Sequence, residues 1–467
     1  MHSLNENVRR IKGNQLRAGI TQENNDEANL TQARTLLAEG HIDASMAVLK
    51  TYWLTHPNDC EAVELCANLM DQANRAESAH SLTRLKEALE AKEDEESQID
   101  RVPEAAFEAG YHLIDSRNYE LAIMLLSACL ATQPFDSTLN YELGFALMAT
   151  SKYDDAVDHF KIARKEDNDF DTTLNISVCH ALSRKIKEAK ESVTELRKLA
   201  STEEEKHELH HREIVIKRLE KLQKKKLLND RDWLYALYGT IHLQPTDSTT
   251  GATSTAGAFS LSPSTSPLTS ASNTPVPANE SFRSIASTLV ILKGVLEGLS
   301  LAPEAVEFYN PNSRPLAAVL ARLFDTQLDN YKGPDRPDRA LLVMDWATDI
   351  IGPHHVFVGN MPNRSIFAYG ITKTEALPVV PDIVAKFTNN LNLPWTERDG
   401  QVPDITPEDA IPQILDVAWN LESDPEILRA IQAAVEYYEE KRAFLVIGNC
   451  AQFPQRGEYS AEVPNSR

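Results

Sequence analysis

Residues 137–170 read STLNYELGFALMATSKYDDAVDHFKIARKEDNDF, a unit of 34 residues in which small and large apolar side chains recur at fixed offsets. The small residues are Gly144, Ala156 and Ala163, and the large ones include Leu143, Tyr153 and Phe160. Two antiparallel helices need small residues where their backbones cross closely and large residues in the gaps between them. The stretch therefore predicts a helical hairpin that stacks on copies of itself.

Residues 103–136 repeat this spacing closely, with Gly110, Leu113, Tyr119, Ala122, Leu126 and Pro134 at matching offsets. Weaker copies occupy 26–59, 60–93 and about 171–200. On these residues the chain resembles the tetratricopeptide (TPR) repeat family. The resemblance implies an all-α solenoid of helical hairpins that binds partners and performs no chemistry of its own. Three stacked units are about the minimum for a stable solenoid, so the number of copies is adequate.

The composition divides the chain into segments. We expect a flexible leader (1–25), repeats (26–200), a charged capping helix (201–228), an α/β domain (230–450) and a flexible tail (451–467). The capping helix is predicted from Ser201 and Thr202, whose hydroxyls precede acids of a first helical turn. Residues 245–280 are rich in Ser, Thr and Pro, so we expect a disordered insertion within the α/β domain.

The second half alternates apolar β-branched runs with helical patterns, which is typical of a three-layer α/β domain with a parallel sheet. The predicted strands are 233–243, 305–309, 340–346, 355–359, 365–370 and 443–447. The predicted helices are 284–299, 315–324, 379–392, 407–421 and 424–442.

The charge and cysteine content restrict the partners and the compartment. The formal net charge of -22 disfavours nucleic acid, because phosphates would be repelled. No apolar run approaches the roughly 18 residues of a transmembrane helix, and we expect no membrane partner. The five cysteines are scattered and odd in number, which favours reduced thiols in a cytoplasmic protein. The oligomeric state stays open.

The TPR resemblance also predicts a binding face. In that family the concave groove is lined by the second, fifth, ninth and twelfth positions of each first helix. Carried onto the two good copies, these positions are Glu104, Phe107, Tyr111, Ile114, Thr138, Tyr141, Phe145 and Met148. Such a face suits an extended peptide or an amphipathic helix. The alternative is that the charged helix at 201–228 or the leader folds back and fills the groove.

Similar aromatic grooves occur in the repeat chaperones of bacterial type III secretion, a likeness that covers the middle third of the chain. We therefore expect an interaction scaffold, an adaptor or a chaperone-like protein whose partner is a protein or peptide.

Two loops of the second half could bind a small ligand. Asn312, Ser313 and Arg314 follow a predicted strand and open a helix, which would suit an anion. Asp345 and Asp349 end the most apolar strand and could hold a metal or a ribose. The alternative for both loops is an ordinary helix cap or turn.

The second loop is faintly similar to the phosphoribosyltransferase fold, which places two adjacent acids after a strand. Here Met344 replaces one acid, and no glycine follows until Gly352, so an active site of that kind would be lost. A degenerate nucleotide- or phosphosugar-binding enzyme is therefore the alternative function.

The stretch from His207 to His211 matches HExxH, in which two histidines one turn apart bind zinc. Charged neighbours place it on a solvated helix, and spacing nominates no third ligand. The chain also lacks GxxxxGK[ST], GxSxG and GxGxxG motifs. We predict no catalytic residue, no metal and no cofactor, and the sequence favours a binding protein over an enzyme.

Overall fold

The computed structural model describes residues 28–91, 95–166, 168–243, 280–331, 339–349, 363–371, 379–387, 391–397, 403 and 405–447. The predicted leader, the tail and all of the predicted insertion except Glu280 lie outside these residues. The chain divides into two compact units, which meet in sequence between Cys179 and His180.

The first unit is built from antiparallel helix pairs. Its helices are α1 (28–38), α2 (Ile42–Trp53), α3 (Cys60–Gln72), α4 (Ala76–Glu90), α5 (Glu95–Asp115), α6 (Tyr119–Cys129), α7 (Ser137–Ala149), α8 (Tyr153–Ala163) and α9 (Phe170–Leu182), which runs into the second unit. Within pairs α3 packs on α4, α5 on α6 and α7 on α8, and between pairs α4 packs on α5 and α6 on α7. This confirms the predicted solenoid of TPR-type helical hairpins.

One residue in each hairpin turn has a left-handed backbone, and it lies two positions before the second helix. These residues are Gly40, Asn74, Arg117, Ser151 and Arg184, with φ between 57° and 80°. In the fourth turn the N–H of Ser151 donates to Met148 O and the N–H of Lys152 to Leu147 O, and the other turns repeat this pair of bonds. The pattern closes the last turn of the first helix. It marks five equivalent turns in the described residues, the fifth of which precedes α10 (Ile186–Leu199).

The hairpins cross at a small residue. A Cβ atom on Gly110 would lie 2.9 Å from Leu126, and one on Gly144 would lie 3.0 Å from the Phe160 ring. At the same place the other first helices carry the small buried residues Ala33, Ala67 and Ser177. Backbone approach therefore requires a small side chain here, as the spacing in 137–170 predicts.

The second unit surrounds a six-stranded sheet with strand order β1-β6-β5-β4-β2-β3, in which every pairing is parallel. The strands are β1 (Ile241–His242), β2 (Ala305–Phe308), β3 (Gln327–Asn330), β4 (Ala340–Trp346), β5 (Arg364–Ile371) and β6 (Ile383–Phe387). Its helices after α10 are α11 (Glu203–Lys221), α12 (Asp230–Tyr238), α13 (Phe282–Gly298), α14 (Arg314–Leu323), α15 (Pro407–Leu421) and α16 (Pro425–Glu439). The predicted α/β class is confirmed.

The predicted strand at 233–243 is wrong, because most of it is helix α12. Asn229 and Asp232 form a capping box in which each side chain accepts a hydrogen bond from the backbone N–H of the other. Gly239, with φ of 70°, ends the helix. These end signals outweigh the aromatic and β-branched composition, and only Ile241 and His242 form the strand β1.

Other predictions in this half were also wrong. The predicted helix at 379–392 contains strand β6, which lies between β1 and β5 in the sheet and buries the side chains of Ile383 and Val384. The predicted strand at 443–447 is a short 3-10 turn, Arg442–Phe444. Strand β3 was not predicted, because an edge strand of polar residues gives no apolar pattern. The predicted strand at 355–359 lies outside the described residues.

The chain order of the strands reverses between β2 and β4. Strand β3 extends the sheet on one side of β2, whereas β4, β5 and β6 follow one another on the other side. In open parallel sheets, ligands bind outside the carboxyl ends of the strands at such a reversal. The loops after β2 and β4 are the two loops that the sequence nominated.

Candidate interaction groove

The predicted groove residues lie on α5 and α7, the first helices of the third and fourth hairpins. The accessible ones are Glu104, Phe107, Tyr111, Thr138, Tyr141 and Phe145, of which Glu104, Tyr111 and Thr138 are exposed and the others half-buried. Ile114 and Met148 are only 8% and 2% exposed, so they support the face from inside and offer a partner little surface.

The aromatic rings of this face are held from beneath and from the side. The Tyr141 ring packs edge-on against buried Phe160 of α8, with centroids 5.7 Å apart. Its hydroxyl accepts a hydrogen bond from Asn175 Nδ2 of α9 at 3.3 Å. The centroid of the Phe145 ring lies 6.5 Å from the centroid of the Tyr119 ring of α6. Rings that are already ordered lose little side-chain entropy when a partner binds.

Carboxylates surround the two tyrosines. Burial, and then the charges of Glu142 and Asp115, raise the pKa of Tyr111. Burial, and then Asp171 and Glu142, raise the pKa of Tyr141. Acids from α5, α7 and α9 thus act on the same pair of rings, and sequence reasoning missed Glu142 among them.

Glu142 is a half-buried acid that, among the described residues, forms no hydrogen bond and no ion pair. Burial and the nearby Asp115 raise its pKa to about 7. Its counterpart one hairpin earlier, Glu108, receives a 2.7 Å hydrogen bond from Arg84 of α4. The position equivalent to Arg84 in α6 is Ser127. Comparing the repeats at this offset would have revealed the missing cation from sequence.

We predict that Glu142→Gln stabilises the protein in a pH-dependent way. Because the folded-state pKa is raised above the ordinary value of 4.5, ionisation opposes folding, and wild-type stability falls as pH rises between those two values and then levels. The advantage of the variant should therefore grow by about 1–2 kcal/mol between about pH 5.5 and 8. Urea unfolding at both pH values measures it.

The control for this experiment is Glu108→Gln, which removes an ion-paired acid and should give no such gain. If Glu142→Gln is equally stabilising at both pH values, or destabilising, the carboxyl is not held neutral by the fold.

A shallow depression of about 440 Å³ lies between α1 and α3, towards the N-terminus of the array. Its lining includes Arg34, Leu37, Glu61, Glu64 and Asn68. Arg34 Nη2 lies 2.9 Å from Glu61 Oε2. These residues occupy the same helix positions as the aromatic set, so these positions change from mainly aromatic to mainly polar and charged along the array.

The loop after β2 uses its polar groups internally. The Ser313 N–H donates to Asn310 Oδ1 at 2.8 Å, and the Asn310 N–H donates to Ser313 Oγ at 3.1 Å. The carbonyl of Asn312 accepts from Trp395 Nε1 at 2.8 Å. Arg314 forms an ion pair with Glu408 of α15. The predicted anion-binding groups thus form a closed turn at the start of α14.

The loop after β4 lies beside it, since β2 and β4 are neighbours. Asp345 is almost fully buried at the end of β4, and Asp349 ends the 3-10 turn Ala347–Asp349. Sequence reasoning missed a cluster at this same sheet edge, in which Lys386 Nζ lies 2.7 Å from Glu280 Oε1 and the Tyr369 hydroxyl donates to Glu280 at 3.4 Å. No local signal joins residues so far apart in sequence.

The HExxH match lies on α11, where His207, Glu208 and His211 are half-buried and His210 is exposed. Burial, and then the charges of Arg212 and Arg218, lower the pKa of His211 to about 3, and its ring bonds to the backbone of Leu237. Within the described ranges, no group of three or more His, Cys, Asp or Glu side chains could hold a metal. In those same ranges, no helix has both the length and the apolar character needed to cross a membrane.

Comparison with known proteins gives no family model and no curated relative that matches. Solved structures align with the chain at low identity. MamA AMB-1 is 18% identical, with 38% of this chain and 98% of that chain covered and a TM-score of 0.24. MamA 41-end from Desulfovibrio magneticus RS-1 is 16% identical, with 43% and 97% covered and a TM-score of 0.23.

PilF of Pseudomonas aeruginosa is 16% identical, with 46% of this chain and 91% of that chain covered and a TM-score of 0.25. TM-scores this low carry no argument about function. The assignment of a TPR-type array therefore depends on the five equivalent hairpin turns of the chain itself.

Proposed function

We propose that this protein is an interaction scaffold or adaptor, with a chaperone-like role as one form, whose helical repeats bind a peptide or helix of a partner protein. The observation that carries the proposal is the aromatic face of α5 and α7. Tyr111 is 37% exposed, and Phe107, Tyr141 and Phe145 are half-buried beside it. Aromatic side chains on an exposed, ordered helical face favour protein association. The proposal includes the cytoplasmic location expected from the sequence.

The charged helix at 201–228 is a poor candidate for filling the groove. Its main part, α11, buries Leu209, Ile214, Val215, Ile216 and Leu219. It packs against α10 and α12, both in the second unit. A helix whose apolar side chains are already buried has little left to offer a second surface. The other candidate, the leader, lies outside the described residues.

The proposal is tested with the double variant Tyr111→Ala plus Phe145→Ala in the full chain. We expect it to lose most of the partners that co-purify with the wild-type protein, by roughly tenfold or more, because buried aromatic anchors dominate interface energies. Quantitative mass spectrometry of affinity-captured complexes measures the loss.

The matched control is Phe135→Ala, which removes an aromatic side chain that is 76% exposed in the connection between α6 and α7. It should leave the partners in place. If the double variant retains every partner, the groove is not the binding surface.

The alternative, a nucleotide- or phosphosugar-binding enzyme, stays a prediction for the sheet edge beside Asp345. The strand reversal between β2 and β4 favours a ligand there. The closed turn at Asn310–Ser313 and the pairing of Arg314 with Glu408 leave fewer groups to bind one. We therefore rank it second.

A further inference from the structure

Most of the charged groove positions outside the aromatic patch are acidic. On α3, α5 and α9, the helix positions equivalent to the aromatic set include Glu61, Glu64, Asp71, Glu104 and Asp171, all exposed. In the described part of α1, the equivalent positions include one basic residue, Arg34, which forms an ion pair with Glu61. Glu64 pairs with Lys86 of α4 at 3.0 Å. The lining carries more negative than positive charge even after these pairs are counted.

The aromatic patch itself is bordered by three acids from three helices: Asp115 of α5, Glu142 of α7 and Asp171 of α9. All three act electrostatically on Tyr111 or Tyr141. A lysine or arginine laid across these rings would gain cation–π attraction and meet carboxylates together. An acidic segment would be repelled by these carboxylates.

Glu142 adds an independent observation. Its repeat counterpart Glu108 has the cation of Arg84, whereas the position equivalent to Arg84 in α6 is occupied by Ser127. A half-buried carboxyl that lacks the cation present in the neighbouring hairpin is a place where a partner can supply one.

We propose that the segment bound in this groove is cationic, a peptide or helix whose lysine or arginine side chains reach Asp115, Glu142 and Asp171 while its apolar side chains cover the aromatic rings. This inference rests on the proposed function and names the chemistry of its partner. The occupant is a segment of another protein, chosen by charge complementarity with the groove.

The test uses the full chain and two fluorescein-labelled amphipathic peptides, one of Leu and Lys and the other with Glu in place of every Lys. Fluorescence anisotropy at about 0.15 M salt measures binding. We expect the Leu/Lys peptide to bind at least tenfold more tightly. Asp115→Asn plus Glu142→Gln should weaken it by about tenfold or more, since interfacial charge pairs contribute on this scale.

The whole chain has a net charge of -22, so the control must remove an equal negative charge outside the groove. Glu203→Gln plus Glu204→Gln, in the exposed first turn of α11, should leave the affinity unchanged. If this control weakens binding as much as the groove variant, the attraction is general and the proposal is overturned.

Other outcomes separate this proposal from the proposed function. If the Leu/Glu peptide binds more tightly and this binding is lost in the variant Tyr111→Ala plus Phe145→Ala, the proposal of a cationic partner is overturned. The proposal that the groove is the binding surface is then kept. Failure of both peptides, with all partners retained by that double variant, would overturn both. A tenfold gain in Leu/Lys affinity when Arg9, Arg10, Lys12 and Arg17 are changed to Gln would identify the leader as the occupant and overturn a partner segment.

Discussion

Replacing Arg364 with Met is expected to lower the free energy of unfolding of the α/β unit by about 4 kcal/mol. Arg364 begins β5, and its Nε lies 2.6 Å from Glu307 Oε2 of β2, with both side chains at most 3% exposed. A second bond joins Nη2 to Oε1 at 3.2 Å. Strand β4 lies between the strands of these two residues, so the ion pair spans β4. Without the guanidinium, a buried carboxylate is left with neither its counter-ion nor those two bonds.

The matched variant is Arg364→Met combined with Glu307→Leu. Because an apolar pair of similar volume often replaces a buried ion pair at little cost, the double variant should recover most of the lost stability. Urea unfolding gives the global values, and hydrogen exchange of β4 and β5 gives the local ones. If the double variant is no more stable than Arg364→Met, the loss arises from packing around the arginine and not from the buried carboxylate that has lost its counter-ion.

Replacing Gly144 with Val is expected to destabilise the repeat array by about 3 kcal/mol. A Cβ at this position already lies 3.0 to 3.2 Å from three atoms of the Phe160 ring. Phe160 is fully buried and packs against Tyr141, so it has no free direction in which to move. The branched side chain would force α7 and α8 apart. Far-UV circular dichroism during urea unfolding, with hydrogen exchange of both helices, measures the effect.

Two controls accompany this substitution. Gly144→Ala should be close to neutral, because a helix-propensity gain of about 1 kcal/mol offsets a smaller clash. Adding Phe160→Leu to Gly144→Val should restore part of the loss, since the smaller side chain frees space. If Gly144→Val lowers the free energy of unfolding by less than about 1 kcal/mol, the contact between Gly144 and Phe160 does not determine the distance between α7 and α8.

The repeats could be predicted from sequence because their signal is local and recurs. The 34-residue offset from Gly110 to Gly144 reports the same helix crossing in two hairpins. Helix α12 was missed for the opposite reason, since the aromatic and β-branched composition of the segment resembles a strand. Only its end signals, the cap pair Asn229 and Asp232 and the terminal Gly239, indicate a helix. Cap geometry is stronger information than composition in a segment this short.

Much of what positions the candidate sites is not local. The order of six parallel strands decides that the loops containing Asn312 and Asp345 are neighbours, and no pattern within either loop contains that information. The raised pKa of Glu142 likewise depends on Asp115 of another helix. The aromatic face was foreseen as a set, but the burial of Ile114 and Met148 follows from packing between hairpins.

The left-handed residue of each hairpin turn allows the stability of single repeats to change during evolution. Four of the five positions hold Asn, Arg, Ser and Arg rather than Gly, so each of those turns carries a small conformational cost, on the order of 1 kcal/mol. Because repeats interact mainly with their neighbours, these costs act as separate adjustments. A lineage could strengthen or loosen one hairpin by a single exchange at its turn and leave the proposed binding face, which lies on the first helices, unchanged.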